Sequence, residues 1–487
     1  MTEWSNESLD PADWDEVRLQ AHLMLDDMLD YLEHTRDRPV WQAPPEAVRM
    51  QFREPLPQTG TELDEVHRIF MTAIAPYAVG NTHPGFFGWV HGGGSVVGML
   101  AEMLAGGLNA NLGGRNQIPV EVEREVVRWV CGLFEFPESA SGILVTGTSM
   151  ATYLAVVVAR TRALGVDVRC NGLGEAGSRL VAYTSEAAHA SIAQALDLAG
   201  IGIEALRKIA VDGRYRLQAG ALEAAIIEDR RAGLHPFLIV GTAGSVDIGA
   251  IDDLDAIAEI AARYRLWFHI DGAFGALAKM SETLAPLLKG IERADSIAFD
   301  FHKWAQVPYD AGCLVVRNGD LHYKTFAAPV AYLKRETQGL AAGSPWPCDF
   351  GPDLSRGFRA LKIWFTLKVY GTRKLAEVME NTCHLANYLA SAIDGHPELE
   401  LLAPVGLNIV CFRFCTDGDG NALNSRIATA LQESGVAAPS TTVLQGNVAI
   451  RVAIVNHRTR TDDLDALLCA TLQFGREFSG QTTLRES

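Results

Sequence analysis

The stretch 236–271 limits the possible folds of this chain more than any other part of it. An apolar run at 236–241, a helix-periodic segment at 252–264 and a second apolar run at 266–271 follow one another with short turns between them. Two strand-like runs separated by a helix of that length cannot form a hairpin; they read as parallel neighbours joined by a crossover helix. Two further apolar runs, 296–299 and 312–316, continue the pattern. The expectation is an α/β fold whose large unit is a mainly parallel sheet flanked by helices. At roughly 100 to 200 residues per domain, 487 residues leave room for two or three such units.

The flanking sequence differs. Residues 10–34 carry Val17, Leu19, Leu23, Leu25, Met28, Leu29 and Leu32 at near-helical spacing, and Asp10-Pro11 offers a helix start. A proline-rich connector at 38–61 follows, and glycines and prolines cluster again at 339–352, which reads as a long surface loop. Helical periodicity returns at 358–370 and 375–393. Strand-like runs at 407–414 and 447–455 and a helix at 463–474 suggest a small α+β C-terminal unit. The expected division is 1–85 for the N-terminal helix and connector, 86–372 for the large unit and 373–487 for the small one. The first helix has too little chain around it to cover its apolar stripe, so it is expected to pack on a second subunit.

Composition narrows the function. Against 42 basic residues stand 59 acidic ones, a net charge of −17 that repels a nucleic-acid backbone. No apolar stretch approaches the roughly 20 residues of a membrane helix. Residues 1–10 are polar and acidic, unlike a signal peptide, so a cytoplasmic location is expected. The eight cysteines lack paired spacing, and neither a metal site nor a disulfide framework is expected.

In parallel α/β sheets, ligands sit beyond the carboxyl ends of the strands, where Asp271 closes the run 266–271. By itself it serves equally as a helix cap or half of an ion pair. Lys303 follows 296–301 and stands between Phe301 and Trp304; aromatic shielding favours the uncharged amine, a nucleophile toward aldehydes. A lone lysine reads more simply as a surface residue. Thr146-Gly147-Thr148-Ser149 lies between the run 143–145 and a helix expected to begin near Met150. Free N–H groups, a helix dipole and hydroxyls there suit a phosphate, although an N-cap by Thr148 or Ser149 explains the same residues. His189 fits either a ring-stacking role or a buried core position. Together the four, in this order within one α/β unit, match the needs of pyridoxal 5′-phosphate (PLP). Its aldehyde takes a lysine, its phosphate an anion cradle and its pyridine nitrogen a carboxylate.

On these residues the chain resembles the group II PLP-dependent decarboxylases, the family of aromatic-L-amino-acid, glutamate and cysteine-sulfinate decarboxylases. The likeness covers nearly the whole chain. It rests on Asn81-Thr82-His83-Pro84-Gly85-Phe86-Phe87, Gly147-Thr148-Ser149, His189, Gly241-Thr242-Ala243-Gly244-Ser245 and His269-Ile270-Asp271-Gly272-Ala273. Asp295-Ser296, His302-Lys303-Trp304, residues 356–362 with Trp364, and Arg451 with Asn456-His457-Arg458 add to it. The resemblance implies fold type I, with Lys303 holding PLP through an imine, Asp271 at the pyridine nitrogen and His189 stacked on the ring. Thr148, Ser149 and His302 are implied to meet the phosphate, and Thr242 and Ala273 to line the cofactor. Tyr332 matches a loop tyrosine that protonates the substrate carbon after CO2 leaves, in a homodimer whose loop crosses the interface.

The implied reaction is decarboxylation of an L-amino acid, an aromatic one first. Alternatives are an acidic amino acid, aldehyde synthesis on the same scaffold, or a non-catalytic homologue. Several positions depart from the family pattern. Trp89-Val90-His91-Gly92 and Asn109-Ala110-Asn111-Leu112-Gly113 are smaller and more polar than the aromatic lining of aromatic-amino-acid members, which makes Trp89, His91 and Asn111 candidate substrate contacts. Arg115 offers a partner for an acidic side chain. Val246 replaces a hydroxyl common among relatives, and Asp300 stands where some carry an amide.

Overall fold

The computed structural model describes residues 8–327 and 336–485, with side chains described as far as residue 480. Its strands are β1 (Phe86–Phe87), β2 (Ser141–Val145), β3 (Leu180–Ser185), β4 (Leu206–Ile209), β5 (His235–Thr242) and β6 (Trp267–Asp271). They continue with β7 (Ser296–Asp300), β8 (Gly312–Val316), β9 (Leu399–Leu401), β10 (Ile409–Phe414), β11 (Ala438–Leu444) and β12 (Asn447–Ala453).

Seven strands form the large sheet in the order β2-β8-β7-β6-β5-β3-β4. Strands β3 to β7 pair in parallel, as the strand–helix–strand pattern predicts, and β8 runs antiparallel to both β7 and β2. Two reversals return β2 to the direction of the parallel strands. The ends of β2, β5, β6 and β7 therefore open on one edge of the sheet. Apolar side chains of β5 enter cores on both sheet faces, Ile239 on one and Phe237, Leu238 and Val240 on the other. Burial on two sides explains continuous apolar runs where a half-exposed strand would alternate.

The smaller sheet, β1-β11-β12-β10-β9, is largely antiparallel and packs on Leu423, Ile427 and Leu431 of the helix Gly420–Glu433. Residues 86–87, expected in the large unit, pair here with Ala438 and Pro439 of β11. Helix Arg359–Asp394 runs through the expected boundary at 372, with a break at Gly371, whose φ of 70° only glycine adopts without strain.

Several local expectations need correction. The first helix is Trp14–Glu33, because Asp13, and not Asp10, caps it by accepting the Asp15 and Glu16 N–H groups. The connector at 38–61 includes a short helix, Glu46–Met50. Helix Thr148–Leu164 starts two residues before Met150, directly after the glycine turn, and the last helix extends over Thr461–Arg485. Among the described residues no helix is long and apolar enough to cross a membrane.

Candidate active site

Four strand ends and one tight loop build the site. Gly147 closes the turn after β2, and a Cβ on Gly312 of β8 would lie 2.4 Å from the Gly147 Cα, so only glycine lets the strand meet the turn. Opposite, the segment 89–93 presses onto the backbone after β7, where a Cβ on Gly92 would come within 2.3 Å of the His302 carbonyl oxygen. The Gln306 carboxamide locks this contact, accepting the Gly93 N–H at 2.9 Å and donating to the Val455 carbonyl at 2.8 Å. Motif residues far apart in sequence prove to be part of the same clamp. Asn456 donates to the Asn81, Thr82 and His83 carbonyls, and Arg458 to that of Gly93. From β12, buried Arg451 holds the carbonyls of Trp89, Val246 and Asp247.

Between these walls lies a cavity of about 450 Å³ lined by Trp89, His91, Thr148, Ser149, His189, Thr242, Asp271, Ala273, His302 and Lys303. Of the twelve residues given catalytic, cofactor or substrate-contact roles from sequence, ten thus converge. Asn111 does not line this cavity; its carboxamide oxygen accepts the N–H groups of Gly113 and Arg356, at 2.8 and 3.0 Å, and so braces a turn. Tyr332 lies outside the described residues. Arg115 is also absent from the lining, and its guanidinium lies over the Trp346 ring, 4.7 Å from the centroid. Reading the sequence missed Tyr309, which tilts over His302 at 4.2 Å between ring centroids and meets the edge of His91 at 5.9 Å. Its one sequence signal is an aromatic residue in the turn six residues beyond Lys303.

Asp271 is buried at the end of β6 and accepts the Ala273 N–H at 3.2 Å. Burial pushes its pKa up from the ordinary carboxylate value, and the nearby charge of Lys303 offsets this only in part. Among the described residues it makes no ion pair. Lys303 does: its Nζ lies 3.0 Å from Asp300 Oδ2. The amine is therefore matched by a carboxylate, while Phe301 and Trp304, expected to shield it, are themselves buried in the core. His302 Nδ1 accepts the Ala311 N–H at 3.0 Å, which leaves the proton of the neutral ring on Nε2. Burial holds its pKa down at about 4. His189 Nδ1 likewise accepts the Ser191 N–H at 3.2 Å, so its other nitrogen carries the proton of the neutral ring.

The residues fit PLP on two independent observations. The Thr148 and Thr242 hydroxyls are buried without a hydrogen-bond partner among the described residues, one at the start of an N-terminal helix turn and one beside Asp271 in the strand register. At the opposite end, a buried carboxylate without an ion-pair partner suits a cationic ring nitrogen. An anion cradle, a buried acid and a lysine on the carboxyl edge of this sheet order define a fold-type-I PLP enzyme.

The pyridoxal-dependent decarboxylase conserved domain matches residues 45–415. The chain belongs to that family, and its cofactor is PLP. It is 30% identical over 475 residues to an aromatic-L-amino-acid decarboxylase of Bacillus atrophaeus, covering 96% of each chain. A phenylacetaldehyde synthase of Arabidopsis thaliana is 29% identical over 471 residues, covering 93% of this chain and 94% of the other. The crystal structure of Oryza sativa TDC with PLP and tryptamine matches with a TM-score of 0.88 at 24% identity, over 97% of this chain and 100% of that one.

Proposed function

We propose that this chain decarboxylates an aromatic L-amino acid to its amine and CO2. The observation that carries the reading is the composition of the cavity wall. Trp89, His91 and Tyr309 form a connected aromatic surface, and among the described lining residues Lys303 is the only lysine or arginine. A flat apolar side chain finds stacking partners there, whereas an acidic one finds no cation to spare.

Lys303 would hold the cofactor aldehyde, Asp271 its ring nitrogen and His189 one ring face, with Thr148, Ser149 and His302 at the phosphate and Thr242 and Ala273 along the ring. When bound there, the cofactor supplies an electron sink for the bond that breaks at the substrate α-carbon. The clamp of Gln306, Arg451 and Asn456 keeps the rim fixed, so the substrate carboxylate is oriented by a rigid wall. Tyr332 is assigned the return of a proton to the α-carbon. Both His189 and Tyr332 are kept, which favours the amine over an aldehyde product. Trp14, Leu19 and Leu23 of the first helix are exposed, and no residue of that helix is buried, which supports a homodimer covering it. Eight free cysteines suit a reducing compartment such as the cytoplasm.

The test is a screen of common L-amino acids for CO2, amine, aldehyde and peroxide in one assay, with borohydride labelling of Lys303. Amine from an aromatic substrate is expected. Stoichiometric aldehyde would assign an aldehyde synthase, preference for glutamate or cysteine sulfinate an acidic-substrate enzyme, and absence of both CO2 and label a non-catalytic homologue.

A further inference from the structure

Among the described residues, the start of helix Thr148–Leu164 offers the cavity a seat for a phosphate, and a carboxylate already reaches it. Asp300, at the end of β7 with its side chain 2% exposed, accepts the Thr148 N–H on Oδ1 at 2.7 Å. Its Oδ2 lies 3.0 Å from Lys303 Nζ and 3.5 Å from His302 Nε2. Free N–H groups at a helix start, together with the dipole, are the seat an anion takes. Here a side chain of the protein occupies one of them.

We propose that Asp300 makes cofactor loading proton-coupled: the phosphate settles on this helix start only with one added proton, drawn from the buffer and shared between a phosphate oxygen and the Asp300 carboxylate. The groups facing Asp300 leave little else to absorb the charge. From its own turn come Lys303, His302 and Tyr309, from β6 Asp271, and from β8 Cys313. Asp271 adds negative charge, and the Tyr309 hydroxyl and Cys313 thiol, their pKa values raised by burial, stay neutral. His302 is neutral and offers one N–H. Among the described residues Lys303 is the single neighbouring cation, and its one positive charge is already matched by Asp300. A phosphate carrying about −1.5 to −2 at neutral pH would thus meet a carboxylate across one shared N–H, in a buried site where like charges repel strongly. A proton between the two oxygens converts that repulsion into a short charge-assisted hydrogen bond.

The inference rests on the PLP assignment, and the experiment separates the two. Cofactor-depleted full-length protein is titrated with pyridoxamine 5′-phosphate, whose amine cannot condense with Lys303. Calorimetry in buffers of different ionisation enthalpy counts the protons. Uptake of about one proton per site is expected, with affinity weakening about tenfold per pH unit from about pH 7 to about pH 9. In Asp300→Asn the uptake and the pH slope should both disappear, and binding at about pH 8 should tighten tenfold or more. Asp300→Ser serves the same purpose if the Asn variant fails to fold. Binding without proton uptake in the wild type, or uptake that persists in the variant, would overturn the role of Asp300. Failure to bind the ligand at all would overturn the cofactor assignment with it.

Discussion

Two aspartates end adjacent strands of one sheet and face one cavity, yet they sit in opposite electrostatic settings. Asp271, on β6, makes no ion pair among the described residues, and in the proposed reading its charge would serve a ring nitrogen. Asp300, on β7, is paired with Lys303 and takes an N–H from a helix start. With the cofactor placed as proposed, the same side chain would be an asset at one end of the cavity, where the ligand brings positive charge, and an obstacle at the other, where it brings negative charge. What a buried acid does here is decided by the charge it will meet on binding.

The largest test of that contrast is Asp271→Asn. Removing one partner of a buried charge pair costs about 3–5 kcal/mol, and at about 1.4 kcal/mol per factor of ten, kcat is expected to fall about 10²- to 10⁴-fold. The fold should persist, since the replacement is isosteric, and circular dichroism checks this. A loss in kcat below tenfold, with the spectrum of the bound cofactor unchanged, would remove the contrast by showing that the acid at 271 is not electronically engaged.

Acid should act on the same cavity through a third group. His302 is held neutral, its folded pKa lowered by burial to about 4 from an ordinary 6.5. Above pH 6.5 neither folded nor unfolded chain protonates it, so it has no differential effect. As pH falls from 6.5 toward 4 only the unfolded chain takes the proton, and stability drops by about 1.4 kcal/mol per pH unit, reaching about 3 kcal/mol. Denaturant melts at several pH values should show that slope reduced by the same amount in His302→Gln. An unchanged slope would mean that the ring is already charged in the fold.

The sequence made the parallel strands legible because β5 to β7 are buried on both faces, and their unbroken apolar runs have no competing explanation. Asp271, Lys303 and the Thr148 turn were legible for the same reason: each sits directly beside such a run. Asn111 was misplaced because its role comes from the backbone of Arg356, 245 residues away, a contact that no local pattern encodes. Tyr309 lies in an irregular turn without periodicity. Strand β11, Ala438–Leu444, escaped notice because its proline, serine and threonines mask the strand pattern. Helix Gly420–Glu433 opens on Gly420, Asn421 and Asn424, poor helix formers whose turn is held by the Asp419 cap and by the packing of Leu423, Ile427 and Leu431.

The smallest effect is expected at Thr148, where the same contrast can be read without touching a charge. Valine copies the shape of threonine and lacks only the hydroxyl, which is buried here without a partner among the described residues. Without cofactor, Thr148→Val should therefore leave the melting temperature unchanged or slightly raised, because an unsatisfied buried group costs about 1–3 kcal/mol. With pyridoxamine 5′-phosphate the variant forgoes one hydrogen bond worth about 0.5–1.5 kcal/mol, so Kd should rise about two- to tenfold. A melting temperature that falls without ligand would mean that the hydroxyl supports the fold and is not held ready for phosphate. Combining Thr148→Val with Asp300→Asn sharpens the point: both side chains address one phosphate, so their effects on Kd should fail to add, whereas simple additivity would place them at independent sites.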